Sequence, residues 1–268
     1  MHSTRSNAQQ QFAAWLRGCH NADMIRRAEA VPLRRNMVTV LEYARDHKVV
    51  GTQSTGNMPL KHIREVTAHF VEPPVLDTTI GNRTYRLRTE FDVWPLYFLH
   101  ILAEVGGMLN IAPGQRWRLT ELGETFLQRD PLLQLYLLLS IWWYQTNWLV
   151  AYPFEGMGEA LPRDFNVITL AHLRELPVGE FVPFEPFADE LIEATGLTWT
   201  VPDPDVTRSA LHGAISRMII YILASFGALD KRMREAPLGK GTLKKLDAFK
   251  ITSLGHCLLK GVAAMLKG

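Results

Sequence analysis

The chain has few of the features that mark secreted or membrane proteins. Only two cysteines occur among its 268 residues, Cys19 and Cys257, and they stand far apart. Together with a polar N-terminus that shows no signal-peptide pattern, this predicts a cytoplasmic protein in a reducing compartment. The main hydrophobic run, at 135–144, falls short of the roughly 20 residues that cross a bilayer, so we expect no membrane partner.

Motifs for catalysis or cofactor binding are also lacking. The sequence has no zinc-spaced Cys/His set, no dinucleotide glycine pattern and no nucleophile elbow, and LGKGT at 238–242 is not a complete phosphate loop. His20 beside Cys19 has no second ligand pair nearby, and the carboxylates at 189–193 lack a basic or nucleophilic partner. We therefore expect a protein that is not an enzyme and that uses no metal or cofactor.

The chain does contain a phrase that occurs twice. RWRLTELGETFL at 116–127 matches AFKITSLGHCLL at 248–259, with Thr120 aligned to Thr252 and Gly123 to Gly255 at a shift of 132 residues. An internal repeat of this kind indicates a duplicated structural unit.

A second phrase precedes each copy of the first. ILAEVGGML at 101–109 matches ILASFGALD at 222–230 at a shift of 121 residues, which places Gly106 opposite Gly227. Because this shift is smaller than that of the first phrase, the loop between the phrases is predicted to carry an insertion of 11 residues in the second copy.

The first copy predicts a helix, a β-hairpin and a second helix. Apolar residues at helical spacing end at Gly106-Gly107, two short strands flank a turn at 112–115, and Thr120 fits the N-cap of a helix at 121–128. Upstream, the pattern predicts a helix near 38–45, a strand at 49–53, a turn, and a helix at 59–70 with Leu60, Ile63, Val66 and Ala68 facing inward.

Two short helices with a brief strand, then a third helix and a hairpin, form the winged helix-turn-helix. At TGNMPL (55–60), the following helix and LT-x-x-G (119–123), the sequence resembles the winged-helix superfamily, and among its members the bacterial plasmid ORF-3-like proteins of unknown function. This resemblance implies a fold rather than a chemistry.

Charge is distributed unevenly along the chain, although the formal net charge is only +2. Residues 129–206 hold 3 Lys/Arg against 12 Asp/Glu, whereas residues 207–268 hold 11 against 3. The basic segment either contacts an acidic partner or faces the acidic segment within the molecule, and the sequence leaves both interpretations open.

The basic segment supplies the predicted nucleic-acid contacts. One side of its first helix and the elongated wing at 231–250 present cations suited to a groove and to phosphates. The predicted contact residues are Arg208, His212, Arg217, Lys231, Arg232, Arg234, Lys240, Lys244, Lys245 and Lys250.

Two other stretches are considered as nucleic-acid contacts. The helix that follows Phe91 is apolar on all sides, so we expect it to be buried rather than to read DNA, with His100 as a core histidine. Ahead of it, Arg83, Arg86 and Arg88 are spaced to contact phosphate or to occupy an exposed edge.

The middle of the chain opens with an aromatic helix, predicted at 132–150 with Asp130 as its N-cap. Its tryptophans, Trp142, Trp143 and Trp148, lack interleaved Lys or Arg, so a core or dimer contact is favoured over base stacking.

The sequence therefore predicts a mainly α protein with short β-hairpins (α+β), in which two winged-helix-like units are joined by a helical, proline-rich middle segment. The predicted segments are an N-terminal helical extension at 1–36, a first unit at 37–129, an aromatic helix with an acidic connector at 130–206, and a second unit at 207–268.

The function that we expect is binding of double-stranded DNA, in the manner of a transcription regulator, through the basic C-terminal wing. The alternatives are a non-enzymatic protein–protein interaction scaffold, in which the aromatic helices form a homodimer, and a sensor whose aromatic middle segment encloses a small ligand.

Overall fold

Some helices of this chain begin at side-chain caps that the sequence makes recognisable. Thr120 accepts a hydrogen bond from Gly123 N (3.1 Å), and Asp130 accepts bonds from two backbone N–H groups of the helix that follows it. Asp203 caps a later helix in the same way, and a proline follows both aspartates, at a position where a missing N–H costs nothing. The predicted caps at Thr120 and Asp130 are confirmed.

The structure, a computed structural model, describes residues 2–81, 83–151, 161–199, 203–238 and 241–266. Over these ranges the chain is a mixed α/β protein of helices and small antiparallel sheets, which confirms the α+β class. None of the helices in these ranges is long and apolar enough to span a bilayer. The chain divides into two units, Ile25–Thr146 (the first unit) and Met1–Met24 with Asn147–Gly268 (the second unit).

The first unit is a set of helices with two short hairpins. Its upstream half holds most of α2 (Ala22–Glu29), then α3 (Pro32–Asp46), α4 (Leu60–Thr67), and strands β1 (Thr78–Ile80) and β2 (Arg83–Tyr85). A 3-10 turn at Glu90–Asp92 leads into α5 (Trp94–Val105), β3 (Leu109–Asn110), β4 (Arg118–Leu119), α6 (Glu121–Leu127) and α7 (Pro131–Tyr144).

The predicted strand at 49–53 is reduced to a single bridge, Val50 with Arg116, which sets this stretch beside the outgoing strand of the hairpin. The predicted inward face of α4 is correct for Ile63 and Val66, which are fully buried. It is wrong for Leu60, which is 39% exposed, and for Ala68, which lies beyond the helix and is exposed. The helix is only eight residues long, so its buried face spans a single turn.

The second unit begins with α1 (His2–Cys19), which packs on the last helix of the chain. Trp15 Nε1 donates to the carbonyl oxygen of Cys257 at 2.8 Å. A 3-10 turn at Trp148–Ala151 and two helices, α8 (Phe165–Glu175) and α9 (Phe184–Thr195), come next, with the short strand β5 (Val182–Pro183) between them.

The rest of the second unit is one long helical stretch, a hairpin and a final helix. α10 (Pro204–Ile215), a π-helical segment (Ser216–Tyr221) and α11 (Ile222–Ser225) run on without a break. The strands β6 (Leu229–Leu238) and β7 (Gly241–Ile251) then lead into α12 (Ser253–Leu266), and β5 pairs with β7 to give the sheet order β5-β7-β6.

The stretch predicted as an acidic, proline-rich connector is largely built into this unit. α8 packs on α12, and α9 packs on α10 and β7, with the Phe187 and Phe249 rings 5.0 Å apart. Its prolines are compatible with regular structure because Pro183 ends an edge strand and Pro204 opens a helix. The division between the units falls after Thr146, so α7 belongs to the first unit.

The repeated phrases occupy equivalent positions in the two units. Thr120 Oγ1 donates to Gly107 O (2.6 Å) and accepts from Gly123 N, and Thr252 Oγ1 donates to Gly227 O (2.8 Å) and accepts from Gly255 N. In both units this threonine caps the helix that follows the hairpin and ties it to the turn before the hairpin.

The alignment of the preceding phrase is wrong by one residue. Gly107 and Gly227, rather than Gly106 and Gly227, are the equivalent left-handed residues, with φ of 65° and 67°. Met108 N donates to Ala103 O and Ala228 N donates to Leu223 O, so the shift is 120 residues here. Only glycine enters this conformation without strain, which makes the turn a better marker of register than matching apolar letters.

Candidate nucleic-acid interface

The β6–β7 hairpin, the predicted wing, is a long two-stranded ribbon in the second unit. Its strands have 10 and 11 residues, against 2 in each strand of the equivalent hairpin β3–β4. The register pairs Arg234 with Lys245 and Glu235 with Lys244, and a bulge between Arg232 and Met233 adds twist. The four side chains of these two pairs are exposed.

Glu185 of α9 lies against this hairpin and joins its two strands. Lys245 Nζ donates to Glu185 Oε1 at 2.7 Å, and Arg234 Nη2 donates to the same oxygen at 3.0 Å. The hydrogen bond from Lys245, followed by the two positive charges, lowers the pKa of Glu185. This carboxylate belongs to the acidic segment, so part of the basic charge is neutralised within the unit.

Carboxylates of the hairpin itself pair with further cations. Arg232 Nε donates to Asp247 Oδ2 at 2.8 Å, and Lys250 Nζ lies 3.2 Å from Asp230 Oδ2. Arg232 and Lys250 also lie 5.0 Å and 5.1 Å from the centroid of the Phe181 ring. These contacts fix the base of the hairpin beside the segment that precedes β5.

The side of α10 predicted to enter a groove is partly covered by α9. Asp189 accepts a hydrogen bond from Arg208 Nη2 (2.6 Å) and lies 2.7 Å from His212 Nε2, and the Phe184 ring packs on His212. The prediction that His212 is exposed is wrong, since only 7% of its surface is accessible. The bond from Arg208, and then that from His212, lowers the pKa of Asp189 to about 2.

The other predicted contact residues have different surroundings. Lys231 lies over the Tyr221 ring at 3.8 Å, and burial lowers its pKa. Arg217 is exposed on the π-helical segment, and Lys240 lies outside the described residues. Lys244 is exposed and makes no ion pair within 4.0 Å in the ranges that the structure covers.

These ion pairs are solvated rather than buried. The side chains of Arg234, Lys245 and Glu185 keep 35–52% of their surface accessible. An exposed pair contributes about 0.2–1 kcal/mol, so a competing anion of higher charge density can replace the carboxylate at little cost. The hairpin is therefore chemically suited to phosphates, and Glu185 and Asp247 are their competitors.

The helix α5 of the first unit is buried only in part. Phe98, Leu99 and Leu102 are buried as expected, but Phe91 and Trp94 at its start are 53% and 37% exposed. The prediction of an all-round buried helix is wrong at Trp94, and at Phe91 in the 3-10 turn before it, because this end of the helix is covered on one face only, where Leu96 is fully buried.

His100, by contrast, is the core histidine that the pattern predicted. It is buried, and its Nδ1 lies 2.7 Å from Glu90 Oε1.

The three tryptophans of the middle segment are core residues within their own units. Trp142 and Trp143 are 1% and 2% exposed and Trp148 is 3% exposed, with Trp142 against Phe98 and Trp148 against Phe165. This agrees with the core interpretation, and these rings are therefore not available as a dimer surface.

The sequence missed Glu185 and Asp189 as partners of the basic segment. The opposite charges of the two segments were a signal, but they did not say which carboxylates meet which cations. In the parts of the chain that the structure describes, no three His, Cys, Asp or Glu side chains are grouped to hold a metal ion. Comparison of the chain with protein-family models, with curated proteins and with solved structures finds no match.

Proposed function

We propose that the chain is a tandem winged-helix protein that binds double-stranded DNA through phosphate contacts of the β6–β7 hairpin. The order of elements in each unit supports the winged-helix assignment. The first unit contains, in chain order, α3, the stretch around Val50, α4, α5, the β3–β4 hairpin and α6. The second unit contains, in the corresponding order, α8, β5, α9, α10–α11, the β6–β7 hairpin and α12. Both orders fit a winged helix-turn-helix with one added helix.

The observation that carries the proposal is the density of cations on the long hairpin. Within β6 and β7 as described, six Lys or Arg side chains stand on a two-stranded ribbon against three carboxylates: Lys231, Arg232, Arg234, Lys244, Lys245 and Lys250 against Asp230, Glu235 and Asp247. A ribbon of this width fits along a DNA groove and its flanking phosphates.

Binding by this hairpin is largely independent of base sequence. α9 covers His212 on α10, and the proposed affinity comes from phosphate contacts of the hairpin rather than from base contacts of this helix. Each phosphate that a cation neutralises releases counterions, so the affinity falls steeply with salt, with a slope of about −0.9 per contact in a log–log plot.

The test is the affinity of the chain for a duplex at about 50 mM and about 200 mM salt, where counterion release has a large effect. We expect salt-sensitive binding, and we expect Lys244→Glu with Lys245→Glu to reduce the salt slope by about 2 and to weaken binding at least tenfold. The matched control is Lys48→Glu with Lys61→Glu, which makes the same charge change on exposed residues of the first unit. Duplex binding that is absent at low salt, or equal in both variants, contradicts the proposal.

A further inference from the structure

A hairpin in the first unit is exposed to solvent at each position whose side chain the structure describes. β1 and β2 pair over three positions, from Thr78 with Tyr85 to Ile80 with Arg83, and every side chain of β2 is exposed. A two-stranded ribbon without a buried face has little stability of its own. It is held at its base by Leu87, which is buried, and by Asp77, which accepts two bonds from Arg64 (both 3.1 Å).

Three arginines on and after this ribbon make no close ion pair within the part of the chain that the structure describes. Arg83, Arg86 and Arg88 are exposed, and over the described ranges none of them has a carboxylate oxygen within 4.0 Å. The carboxylates close to them in sequence are occupied by other donors. Asp77 binds Arg64 and Leu87 N, and Asp92 accepts the backbone N–H groups of residues 88 and 89. This contrasts with the β6–β7 hairpin, where carboxylates pair with most of the cations.

Exposed aromatic rings accompany these arginines along the chain. Arg83 lies 5.5 Å from the centroid of the Tyr85 ring, and Tyr85 is 51% exposed. Phe91 stands 4.4 Å from Tyr97, and Trp94 lies 6.1 Å from the same ring, which joins the three into one cluster at the start of α5. We call Arg83, Tyr85, Arg86, Arg88, Phe91 and Trp94 the arginine–aromatic strip.

We propose that the arginine–aromatic strip binds single-stranded nucleic acid. Unpaired bases stack on exposed aromatic rings, and arginines hold the backbone phosphates beside them. Both components are required, and here they lie close together in sequence, whereas the tryptophans of the middle segment are buried. A duplex does not present the faces of its bases, so the exposed rings favour a single strand.

The experiment measures fluorescence anisotropy of labelled single-stranded oligonucleotides, a DNA and an RNA of the same mixed sequence, with the full chain. The variants are Arg83→Ala/Arg86→Ala/Arg88→Ala and Phe91→Ala. We expect the triple variant to lower the salt slope by about 2, at about 0.7 per phosphate, and Phe91→Ala to weaken binding about tenfold with the slope unchanged. Stronger binding of RNA than of DNA assigns the strip a 2′-hydroxyl contact, and equal binding assigns it stacking and phosphate contacts only; both support the proposal.

The Lys244→Glu/Lys245→Glu variant is the matched comparison, because it changes the other basic surface. We expect it to keep single-strand affinity within about twofold, and the triple arginine variant to keep duplex affinity equally well. A wild-type chain that binds the single strands but no duplex therefore overturns the function proposed above and leaves the proposal for the strip standing.

Wild-type chain that does not bind either oligonucleotide at low salt overturns the proposal, as does a triple variant that binds like wild type. A concentration-dependent dimer that Phe91→Ala dissociates, found by light scattering without nucleic-acid binding, overturns it in favour of a protein contact. Thermal unfolding of each variant shows whether its fold is intact, and Tyr85→Ala on the solvent-exposed ribbon replaces Phe91→Ala if the latter unfolds.

Discussion

Glu90 holds together separate parts of the first unit from a position that water does not reach. Its Oε2 accepts the backbone N–H of Met58 at 2.6 Å, and its Oε1 lies 2.7 Å from His100 Nδ1. The side chain of Glu90 is fully buried and that of His100 is 5% exposed. A buried carboxylate is tolerated only when its oxygens are satisfied, and here they join α5 to the turn that precedes α4.

We predict that Glu90→Ala lowers the free energy of unfolding by about 3 kcal/mol or more, because it leaves the Met58 N–H and His100 without their partner inside the protein. The control is Glu104→Ala, which removes a half-exposed carboxylate that approaches His100 Nε2 at 3.6 Å and should change stability by less than about 1 kcal/mol. Urea denaturation of both variants measures the difference. Equal stabilities of the two variants would mean that the buried hydrogen bonds of Glu90 contribute nothing to folding.

Asp189 is a second carboxylate whose protonation is coupled to folding. Hydrogen bonds from Arg208 and His212 lower its pKa to about 2, below the ordinary value of 3.8. A carboxylate with a lowered pKa stabilises the folded state fully above about pH 4, and this contribution disappears as the pH falls toward 2. Because 41% of the side chain is exposed, solvent screens the interaction and the contribution is modest.

We predict that Asp189→Asn destabilises the second unit by about 1 kcal/mol at neutral pH and has a smaller effect as the pH falls from 4 to 2. Thermal unfolding followed at several pH values measures the dependence. Glu190→Gln, an exposed neighbour on α9, serves as the control and should keep the wild-type profile. A constant difference at every pH would show that the carboxylate does not act through its charge.

At the scale of elements, the same junction between a hairpin and the following helix occurs in both units. In each unit a threonine caps the helix, and a glycine three residues later lets the helix approach the turn before the hairpin. A Cβ on Gly255 would overlap the carbonyl group of Ala228, and one on Gly123 would meet Leu119 and Met108 O. The glycines therefore serve close packing.

We predict that Gly255→Ala destabilises the chain by about 2 kcal/mol or more, since the obstructing atoms of Ala228 are backbone and move only with the hairpin. Gly123→Ala should cost less, because the flexible side chain of Leu119 is among the atoms that it meets. Gly18→Ala in α1 has open space around it and should be neutral or stabilising by up to about 1 kcal/mol. Calorimetry of the three variants gives the order, and a Gly255→Ala melting temperature equal to that of wild type would contradict the steric argument.

Some elements were recognisable from the sequence because their signals are local. A cap, a proline in a first turn and a glycine stop act within a few residues, so α6 and α7 were predicted close to their observed starts. The sequence does not identify α8 and α9 as parts of a unit, because what holds them in place is packing on α12 and β7, which lie far along the chain. The proline-rich pattern predicts a connector, although Pro183 ends an edge strand and Pro204 opens a helix.

At the scale of the whole molecule, acidic and basic segments are matched within the second unit. Glu185 and Asp189 of α9 contact Arg234, Lys245 and Arg208. The hairpin therefore presents less free positive charge than its composition suggests. Under the proposed function, carboxylate and phosphate compete for the same cations, and the carboxylates set the affinity.

We predict that Glu185→Gln strengthens duplex binding several-fold at low salt, because it releases Arg234 and Lys245 for phosphates. The control is Glu193→Gln on the same helix, an exposed carboxylate for which the described residues show no ion pair. It makes the same change in net charge and should raise the affinity less. Anisotropy titrations with one labelled duplex compare the three proteins, and equal gains in both variants would assign the effect to net charge alone.

The sequence by itself determined the local and periodic features of this protein: the repeated Thr-x-x-Gly junction, the helix caps at Thr120 and Asp130, the α+β class and the burial of the aromatic helix. These features follow from interactions between residues close in sequence, and from apolar helix faces that are buried whichever element packs on them. Only the tertiary structure decided which carboxylates neutralise the basic hairpin, that His212 is buried, and that Phe91 and Trp94 are exposed. Such outcomes depend on which helix packs against which face, and contacts between residues far apart in sequence leave no local pattern.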